Sequence, residues 1–429
     1  PLTLGCKVNQ YETDGMIELL KEAGMTAVSF EEKADVYLIN TCSVTNMADK
    51  KSRQMIHRAK KLNPDAVVIA AGCYVQAAKD KLMEDDRISI IIGNNKKKDI
   101  VQILEDYLEI GVTDEGMLDI AAEKEYEPLT INSTLEHTRA YVKIQDGCNQ
   151  FCSYCIIPYV RGRIRSRELA SITEEVERLA QTGVKEIVLT GIHISSYGKD
   201  KENEVGLADV IDAISKIESI ERIRLGSLEP GIITDTFIDR IVDNKKVCPH
   251  FHLSLQSGCN TVLKRMNRKY TCEEYFEKCE MLRKAFDRPA LTTDVIVGFP
   301  GETDEEFQET VDYLTKLNLY EMHIFKFSPR QGTVAAGMRD QIGPEIKNQR
   351  SDVLLALSEK NKHAYEASFR GETLEVLIEE KVRRNGKDGY RGHTERYIDI
   401  FVEEECMHRI CGREVDIINH IVQIPYGME

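Results

Sequence analysis

Short apolar runs alternate with amphipathic stretches along most of the chain, which predicts parallel strands joined by helices. Three such runs lie in the first hundred residues, at 36–40, 66–71 and 88–92. Six more follow, at 140–145, 186–190, 222–227, 251–255, 291–298 and 322–328. We therefore expect a three-layer α/β domain and then a six-stranded parallel sheet, curled into a partial (βα)6 barrel. Both architectures bind ligands at the carboxyl ends of their strands.

Two parts of the chain have a different pattern. The acid-rich, weakly periodic stretch 106–135 is typical of a linker. Beyond residue 370, runs at 373–380, 395–402 and 414–422 alternate like strands and are joined by glycine-containing turns, which predicts a small β-barrel. The predicted units are an N-terminal α/β domain, the linker, the partial barrel and the terminal β-barrel, at 1–105, 106–135, 136–366 and 367–429.

Composition excludes several classes of protein. No apolar run approaches the roughly 20 residues that a membrane span needs, and we expect no secretory signal, so the expected location is the cytoplasm. Twelve cysteines among 429 residues are too few for a disulfide scaffold, which is short and secreted. The net charge of −15 argues against loose binding to nucleic acid but leaves room for a local basic face.

Three cysteines with the spacing C-x3-C-x2-C follow the first predicted barrel strand, in GCNQFCSYC. They are Cys148, Cys152 and Cys155. A zinc ribbon would need a fourth ligand, usually from a second C-x2-C pair, and none follows. Three thiolates in one loop instead suit a cubane iron–sulfur cluster with one iron left open. The alternative is three structural thiols.

The N-terminal domain has three more cysteines, each at the carboxyl end of a predicted strand. They are Cys6, Cys42 and Cys73. Because these strand ends share one edge of a parallel sheet, the thiols can converge. The sequence therefore indicates a second metal centre, although three buried thiols remain the alternative. The six other cysteines receive no role.

These motifs resemble a known family. The cysteine loop is similar to that of the radical S-adenosylmethionine (SAM) superfamily, with Tyr154 at the aromatic position before the third cysteine. The order of domains resembles the radical SAM methylthiotransferases over nearly the whole chain. The stretches that carry the resemblance are LGCKVNQYET, NTCSVT, GCNQFCSYCIIPYVRGRIRSR, TGIHISSYG, SLEP, HLSLQSG, TDVIVGFPGET and FKFSPRQGT.

The resemblance implies two 4Fe–4S clusters. One, on Cys148, Cys152 and Cys155, would bind SAM and yield a 5′-deoxyadenosyl radical; the other, on Cys6, Cys42 and Cys73, would carry sulfur. One SAM would methylate that sulfur, and a second would open the substrate C–H bond. An external electron donor and a sulfur source are implied as partners. The expected SAM contacts are Tyr154, Arg167, Glu229, Gln256, Ile296 and Gly298, although Asp294 stands where many superfamily members have glycine.

The opening GCKVNQYET resembles the branch that acts on N6-threonylcarbamoyladenosine in tRNA. This branch adds a methylthio group at C2 of that nucleoside, next to the anticodon. The alternatives are the branches for isopentenyladenosine in tRNA and for an aspartate of a ribosomal protein. A non-enzyme alternative is an iron–sulfur, RNA-binding redox sensor.

Three basic stretches are candidate contacts for a tRNA anticodon stem-loop. Terminal residues 367–429 resemble a TRAM domain, an RNA-binding module. Solvated charged faces are the simpler explanation for such runs. The candidate residues are Arg161, Arg163, Arg165 and Arg167 beside the cysteine loop, Lys50, Lys51, Arg53, Arg58, Lys60 and Lys61 after Cys42, and Lys381, Arg383, Arg384, Lys387 and Arg391 near the end of the chain.

Overall fold

The computed structural model describes residues 1–111, 117–132, 138–202, 205–411 and 417–427. Across these ranges, no helix combines the length and the apolar character that crossing a bilayer requires.

Four parallel strands form the N-terminal sheet in the order β1-β2-β3-β4. Side chains alternate between its two faces: Ile39 and Val68 pack into one apolar cluster, and Leu38 and Ile69 into another. The α/β architecture predicted for this part is confirmed. Its elements are β1 (Leu2–Thr3), α1 (Lys7–Glu22), β2 (Val36–Thr41), α2 (Asn46–Leu62), β3 (Val67–Gly72), α3 (Cys73–Ala77), α4 (Lys79–Met83), β4 (Ile90–Ile92) and α5 (Ile100–Ile110).

All six predicted barrel strands are present. The elements of this part are β5 (Arg139–Asp146), α6 (Ile157–Arg161), β6 (Arg165–Ser166), α7 (Leu169–Gln181), β7 (Glu186–Gly191), α8 (Leu207–Ser215), β8 (Arg222–Leu225), α9 (Asp235–Ile241), β9 (His250–His252), α10 (Asn260–Arg265), α11 (Cys272–Ala285), β10 (Ala290–Val297), α12 (Asp304–Leu317), β11 (Glu321–Lys326) and α13 (Pro344–Ala367).

These strands form two sheets that continue into each other. One has the order β6-β5-β7-β8 and the other β11-β10-β9, and only the short β6 runs antiparallel to its neighbour. Parallel bridges from Ile223 to Val247 and from Leu228 to Leu253 join them between β8 and β9. One large apolar cluster fills the space between strands and helices. The result is the predicted partial barrel.

The predicted linker is more ordered than its composition indicates. Its first residues belong to α5, which ends at Ile110. Residues 117–132 contain neither helix nor strand, yet Leu129 and Ile131 are buried and pack with Tyr11 of α1 in the barrel core. The hydroxyl of Tyr11 also donates to the carbonyl of Leu129 at 2.5 Å. This segment therefore packs between helix α1 of the N-terminal domain and the barrel.

The terminal sheet is antiparallel, in the order β14-β13-β12-β15. Its first hairpin turns at Asn385 and Gly386, both with positive φ, as a two-residue Asn-Gly turn requires. The strand predicted at 414–422 lies partly outside the described residues, and the described strand there begins at Ile421. The elements are β12 (Thr373–Arg384), β13 (Lys387–Thr394), β14 (Asp399–Glu403), α14 (Glu404–Cys411), which the sequence did not predict, and β15 (Ile421–Pro425).

Arginines from the amino ends of barrel strands hold this terminal sheet. Arg222 donates to the carbonyls of His393 and Glu375, and Arg224 to those of Glu395 and Thr394. The terminal sheet therefore packs at the amino ends of the barrel strands. The cysteine loop lies at the other end of the barrel, where the carboxyl ends of the strands are.

Candidate metal centres

The C-x3-C-x2-C loop lies at the carboxyl end of β5 and is fixed by backbone contacts. Gly147 has φ +72°, and a Cβ there would lie 1.8 Å from the carbonyl oxygen of Arg163, so only glycine fits. The amide of Ser153 donates to Met266 O at 3.0 Å, and its hydroxyl donates to Arg265 O at 2.8 Å. The loop is thus fixed by the segment after α6 on one side and by the end of α10 on the other.

Cys148, Cys152 and Cys155 are all half-buried and lie close enough to affect one another electrostatically. Burial raises the pKa of the Cys148 thiol to about 11. Burial, with the nearby Cys152, raises the pKa of Cys155 to about 12. Without a metal these two thiols are protonated at neutral pH, so a metal must displace their protons to bind.

Arg268, which sequence reasoning missed, contacts this loop directly. Its Nη1 donates to Cys152 Sγ at 3.2 Å, and its Nη2 donates to Glu229 Oε1 at 2.7 Å. Burial would raise the pKa of Glu229, but His193 and Arg268 outweigh it and lower that pKa. Glu229 is therefore an ionised carboxylate tied to the cysteine loop through one guanidinium. A lone arginine between Asn267 and Lys269 gave no signal in the sequence.

The other predicted SAM contacts lie at the same end of the barrel, with one exception. Tyr154 and Ile296 pack in one apolar cluster with Phe299 and Phe327. Gln256, with φ +77°, bonds through its backbone to β10, accepting from Ile296 N at 2.9 Å.

Gly298 ends β10 with φ +69°, and a Cβ there would lie 2.3 Å from Lys347 Cγ. Its amide donates to Glu302 at 2.7 Å. The position therefore needs glycine for two reasons, its backbone conformation and the lack of space.

The prediction that Arg167 contacts SAM does not agree with the geometry. Arg167 is 2% exposed. Its guanidinium pairs with Glu175 and donates to Tyr11 and Ser171, between α7 and α1. Because these partners occupy the group, Arg167 is a packing residue here. Alternating charged residues in a sequence usually indicate a solvent-exposed face. In this fold the side chain of Arg167 is buried instead.

The basic stretch around Arg167 does not form the predicted RNA face. Arg161 and Arg165 are also buried, at 0% and 1% exposure. Only Arg163 is exposed, and its guanidinium lies 4.6 Å from the centre of the Phe151 ring. Three of the basic residues near the end of the chain pair with acids: Lys381 with Glu404, Lys387 with Glu403 and Arg391 with Asp399.

Cys6, Cys42 and Cys73 come together at the carboxyl edge of the N-terminal sheet, as their positions predict. A Cβ on Gly5 would lie 3.0 Å from Cys42 Sγ, which places the first two cysteines side by side. Burial raises the pKa of Cys42 to about 12, and the neighbouring Cys73 adds to this increase. Asn9 ties the strand ends together, because its Nδ2 donates to Leu4 O at 2.7 Å and to Thr41 O at 2.9 Å.

The two cysteine sets face each other across α3 and α6. Cys73, at the start of α3, packs in one apolar cluster with Ile156 and Val160 of the segment that follows Cys155. The Nε of Arg161, the last residue of α6, donates to Cys73 Sγ at 3.2 Å. Each set thus lies beside the other although up to 149 residues separate them in sequence.

Both sets fit a cluster better than a single ion. A single zinc ion bound at about 2.3 Å would hold its sulfur ligands about 3.8 Å apart. Among the described residues, no three cysteine Sγ atoms lie within 4.8 Å of one another. Three wide-set thiols without a fourth protein ligand suit the larger cubane with one open iron.

A set of closer ligands lies on three neighbouring barrel strands. It consists of His252, Asp294 and His323 on β9, β10 and β11, whose ligand atoms lie within 4.8 Å of one another. The His252 and His323 rings stack with centroids 5.7 Å apart, and His252 Nε2 lies 3.4 Å from Asp294 Oδ2. The sequence analysis did not predict this group; it noted Asp294 only as a departure from the glycine that many superfamily members have.

Two family models match the chain. The radical SAM superfamily matches residues 142–314. A second model, described as Uncharacterized protein family UPF0004, matches residues 2–93. One match spans the cysteine loop and most of the barrel, and the other spans the N-terminal sheet with its three cysteines.

Curated relatives of the chain are tRNA-modifying enzymes by name. The threonylcarbamoyladenosine tRNA methylthiotransferase MtaB of Bacillus subtilis is 42% identical, over 98% of this chain and 92% of its own length. Its namesake from Aquifex aeolicus is 40% identical, over 93% of this chain and 95% of its own. A tRNA-2-methylthio-N(6)-dimethylallyladenosine synthase of Thermoanaerobacter pseudethanolicus is 36% identical, over 96% of this chain and 89% of its own length.

Solved structures share the fold at low identity. TsrM of Kitasatospora setae, a radical SAM methyltransferase with cobalamin and a [4Fe-4S] cluster bound, superposes with a TM-score of 0.57 at 16% identity, over 78% of this chain and 76% of its own. OxsB, a cobalamin-dependent SAM radical enzyme, superposes with a TM-score of 0.50 at 12% identity, over 84% of this chain and 56% of its own.

Proposed function

Because this chain belongs to the radical SAM tRNA methylthiotransferase family, we propose that it adds a methylthio group at C2 of N6-threonylcarbamoyladenosine beside the anticodon of tRNA. The observation that carries this proposal is the packing of Cys73, from one cysteine triplet, against α6 and the residue before it, which directly follow the other triplet. The relatives at 42% and 40% identity are named for the same nucleoside, which supports this substrate.

Each triplet is proposed to hold one 4Fe–4S cluster. Cys148, Cys152 and Cys155 would ligate the cluster that binds SAM, and Cys6, Cys42 and Cys73 the auxiliary cluster. When bound, the first would supply the electron that cleaves SAM, and the second would carry the sulfur. An external electron donor and a sulfur source follow as partners.

The protein's own side chains orient these groups. Arg268 bonds to both Cys152 and Glu229. It therefore fixes the position of the cysteine loop relative to the segment that follows β8. Tyr154, Gln256, Ile296 and Gly298 are proposed to line the SAM pocket with Glu229. Arg167 is left out of this pocket because its partners lie on α7 and α1.

An exposed aromatic and cationic patch beside the cysteine loop is the proposed contact for the flipped nucleoside and its neighbours. Tyr159 is 50% exposed and meets Phe151 edge to face, with centroids 5.7 Å apart. The guanidinium of Arg163 lies over the Phe151 ring. Unstacked RNA bases stack on such rings, and the target must leave its stack to react. The TRAM-like terminal sheet is proposed to bind the rest of the stem.

The four units 1–105, 106–135, 136–366 and 367–429 are proposed as the domain organisation. We also propose a cytoplasmic location, because tRNA is modified there. The second candidate substrate is dimethylallyladenosine in tRNA, favoured by the relative at 36% identity.

Complementation tests the substrate. The gene is expressed in a bacterial strain that lacks both tRNA methylthiotransferases, and tRNA nucleosides are identified by mass spectrometry. We expect the 2-methylthio form of threonylcarbamoyladenosine and unmethylthiolated isopentenyladenosine. The reverse pattern would assign the second substrate, and tRNA without any methylthiolated nucleoside, from cells that contain the full-length protein, would contradict both.

A further inference from the structure

Buried charged side chains lie between the two cysteine triplets. Lys97 contacts Glu12 at 3.0 Å, and Lys143 contacts Glu12 at 2.7 Å and Asp146 at 2.6 Å. Arg161 contacts Glu12 at 2.6 Å and Asp146 at 3.1 Å. These five side chains are each at most 3% exposed. The network joins α1, β5 and α6.

This network has more cations than carboxylates. Lys97, Lys143 and Arg161 pair with Glu12 and Asp146, and each of these two carboxylates lies close to at least two of the cations, which keeps both ionised. Arg165, 1% exposed and 3.8 Å from Asp146, adds a further cation.

Glu127 adds a third acidic side chain, so the excess of cations depends on Arg165: Lys97, Lys143, Arg161 and Arg165 lie among Glu12, Asp146 and Glu127. Burial raises the pKa of Glu127, although Lys97 and Lys143 act against that increase. One of its oxygens accepts from the backbone amide of Lys98 at 3.0 Å. A buried cation without an anion is costly, so an anionic partner is expected beside this network.

Cys73 is in the position of that partner. Arg161 uses its Nη atoms for Glu12, Asp146 and Asn9, and directs Nε at Cys73 Sγ, 3.2 Å away. A protonated thiol would supply no charge, whereas a thiolate bound to iron would. Hydrogen bonds from charged donors are also stronger than those from neutral ones.

The other triplet has a different environment. Arg268 also donates to a cysteine sulfur at 3.2 Å, but Glu229 lies 2.7 Å from the same guanidinium and balances its charge. The cation beside Cys73 is therefore in excess, and the cation beside Cys152 is not.

We propose that Arg161 is a positioning residue that raises the reduction potential of the auxiliary centre by giving Cys73 a hydrogen bond and an uncompensated positive charge. Hydrogen bonds to ligand sulfur and local charge are two of the factors that set such potentials. The inference rests on the proposed function, because it takes Cys73 as an iron ligand.

The test uses full-length protein with Cys148, Cys152 and Cys155 replaced by alanine, so that only the auxiliary centre is loaded. Its midpoint potential is measured by anaerobic titration followed by electron paramagnetic resonance. We expect Arg161→Gln to shift the midpoint to a more negative value. Removal of Arg161 leaves three cations, Lys97, Lys143 and Arg165, beside three acids, Glu12, Asp146 and Glu127, so the protein should still fold.

Two further variants complete the design. Arg167→Gln removes a buried arginine from the same stretch that touches no cysteine, and the midpoint should not change. Lys97→Met removes a cation of the network without touching Cys73, so a smaller negative shift is expected. Lys97→Met decides the question if Arg161→Gln does not fold.

The possible failures can be told apart. An auxiliary centre that is loaded but whose midpoint is the same in Arg161→Gln and Lys97→Met would overturn the inference alone. A protein without iron in the alanine background would overturn the ligand assignment in the proposed function, and the inference with it.

Discussion

Arg268 lets the cysteine loop and Glu229 act as one unit, because its guanidinium bonds to both. Replacing it by methionine should leave iron content unchanged and slow SAM cleavage. Hydrogen bonds to charged groups are worth roughly 1.5–3 kcal/mol, which corresponds to about a 10- to 100-fold loss. Release of 5′-deoxyadenosine from the reduced protein measures the effect. Arg283→Met, which removes a partly exposed arginine paired with Glu280, is the control; an equal loss in both variants would refute the role of Arg268.

Tyr159 and Arg163 should affect RNA binding separately from chemistry. Alanine at both positions removes the exposed ring and cation beside the loop. Stacking of a base on an aromatic ring is worth about 1–3 kcal/mol, so tRNA should bind at least about fivefold more weakly. Filter binding measures this loss, and SAM cleavage without tRNA should not change. Undiminished tRNA affinity would remove this patch from the interface.

At the scale of elements, the loop after β11 links the two metal regions. Arg330 donates to Ser43, Asn46 and Asp49, each at 2.7 Å, directly after Cys42. Arg330→Met should therefore lower methylthiolation while SAM cleavage continues, because only the position of the N-terminal sheet changes. The ratio of methylthiolated nucleoside to 5′-deoxyadenosine is the readout. Lys326→Met, on β11, is the control, and a parallel fall in both products would contradict the prediction.

The ion pairs of Glu186, which lie between the barrel and the terminal sheet, should make the stability of the protein depend on pH. Burial would raise the pKa of Glu186, but Arg224, Arg139 and Arg222 outweigh it and lower that pKa to about 2. Because the folded pKa lies below the unfolded value of about 4.3, this stabilisation is complete above that pH and is lost as the pH falls towards 2.

Glu186→Gln tests this pH dependence. The variant should be destabilised by roughly 3–5 kcal/mol at pH 7, the usual cost of breaking a buried ion pair. Thermal unfolding at several pH values should show the difference from the parent protein narrowing below about pH 4. Glu359→Gln, at an exposed pair with His363, should behave like the parent. A difference that stays constant down to pH 2 would refute the linkage.

The strands and the cysteine positions could be predicted because both are local in sequence. Apolar runs mark strands wherever they pack, and the residue after a parallel strand lies at the carboxyl edge of its sheet. The fate of the charged residues could not be predicted in this way. Arg161, Arg165 and Arg167 are buried because the N-terminal sheet, the linker and α7 meet over them, and Arg268 becomes a loop contact only once α10 packs against the cysteines. These are long-range contacts without a periodic signal.

At the scale of the whole molecule, one sheet carries each cysteine triplet, and the two sheets meet at α3 and α6. The account therefore separates two half-functions, radical formation at the barrel and sulfur supply at the N-terminal sheet. A control for any cysteine variant is the double replacement of Cys406 and Cys411 by alanine on α14, which should keep both half-functions and the full iron content.

The most direct measurement is made on the protein with Cys6, Cys42 and Cys73 all replaced by alanine, reconstituted anaerobically and supplied with SAM, reductant and threonylcarbamoyladenosine tRNA. Iron, 5′-deoxyadenosine and tRNA nucleosides are quantified in the same sample. The account predicts about half the iron of the parent protein, continued reductive cleavage of SAM and no 2-methylthio nucleoside. Methylthiolated tRNA from this variant would contradict the account, because the sulfur would then come from somewhere other than the N-terminal centre.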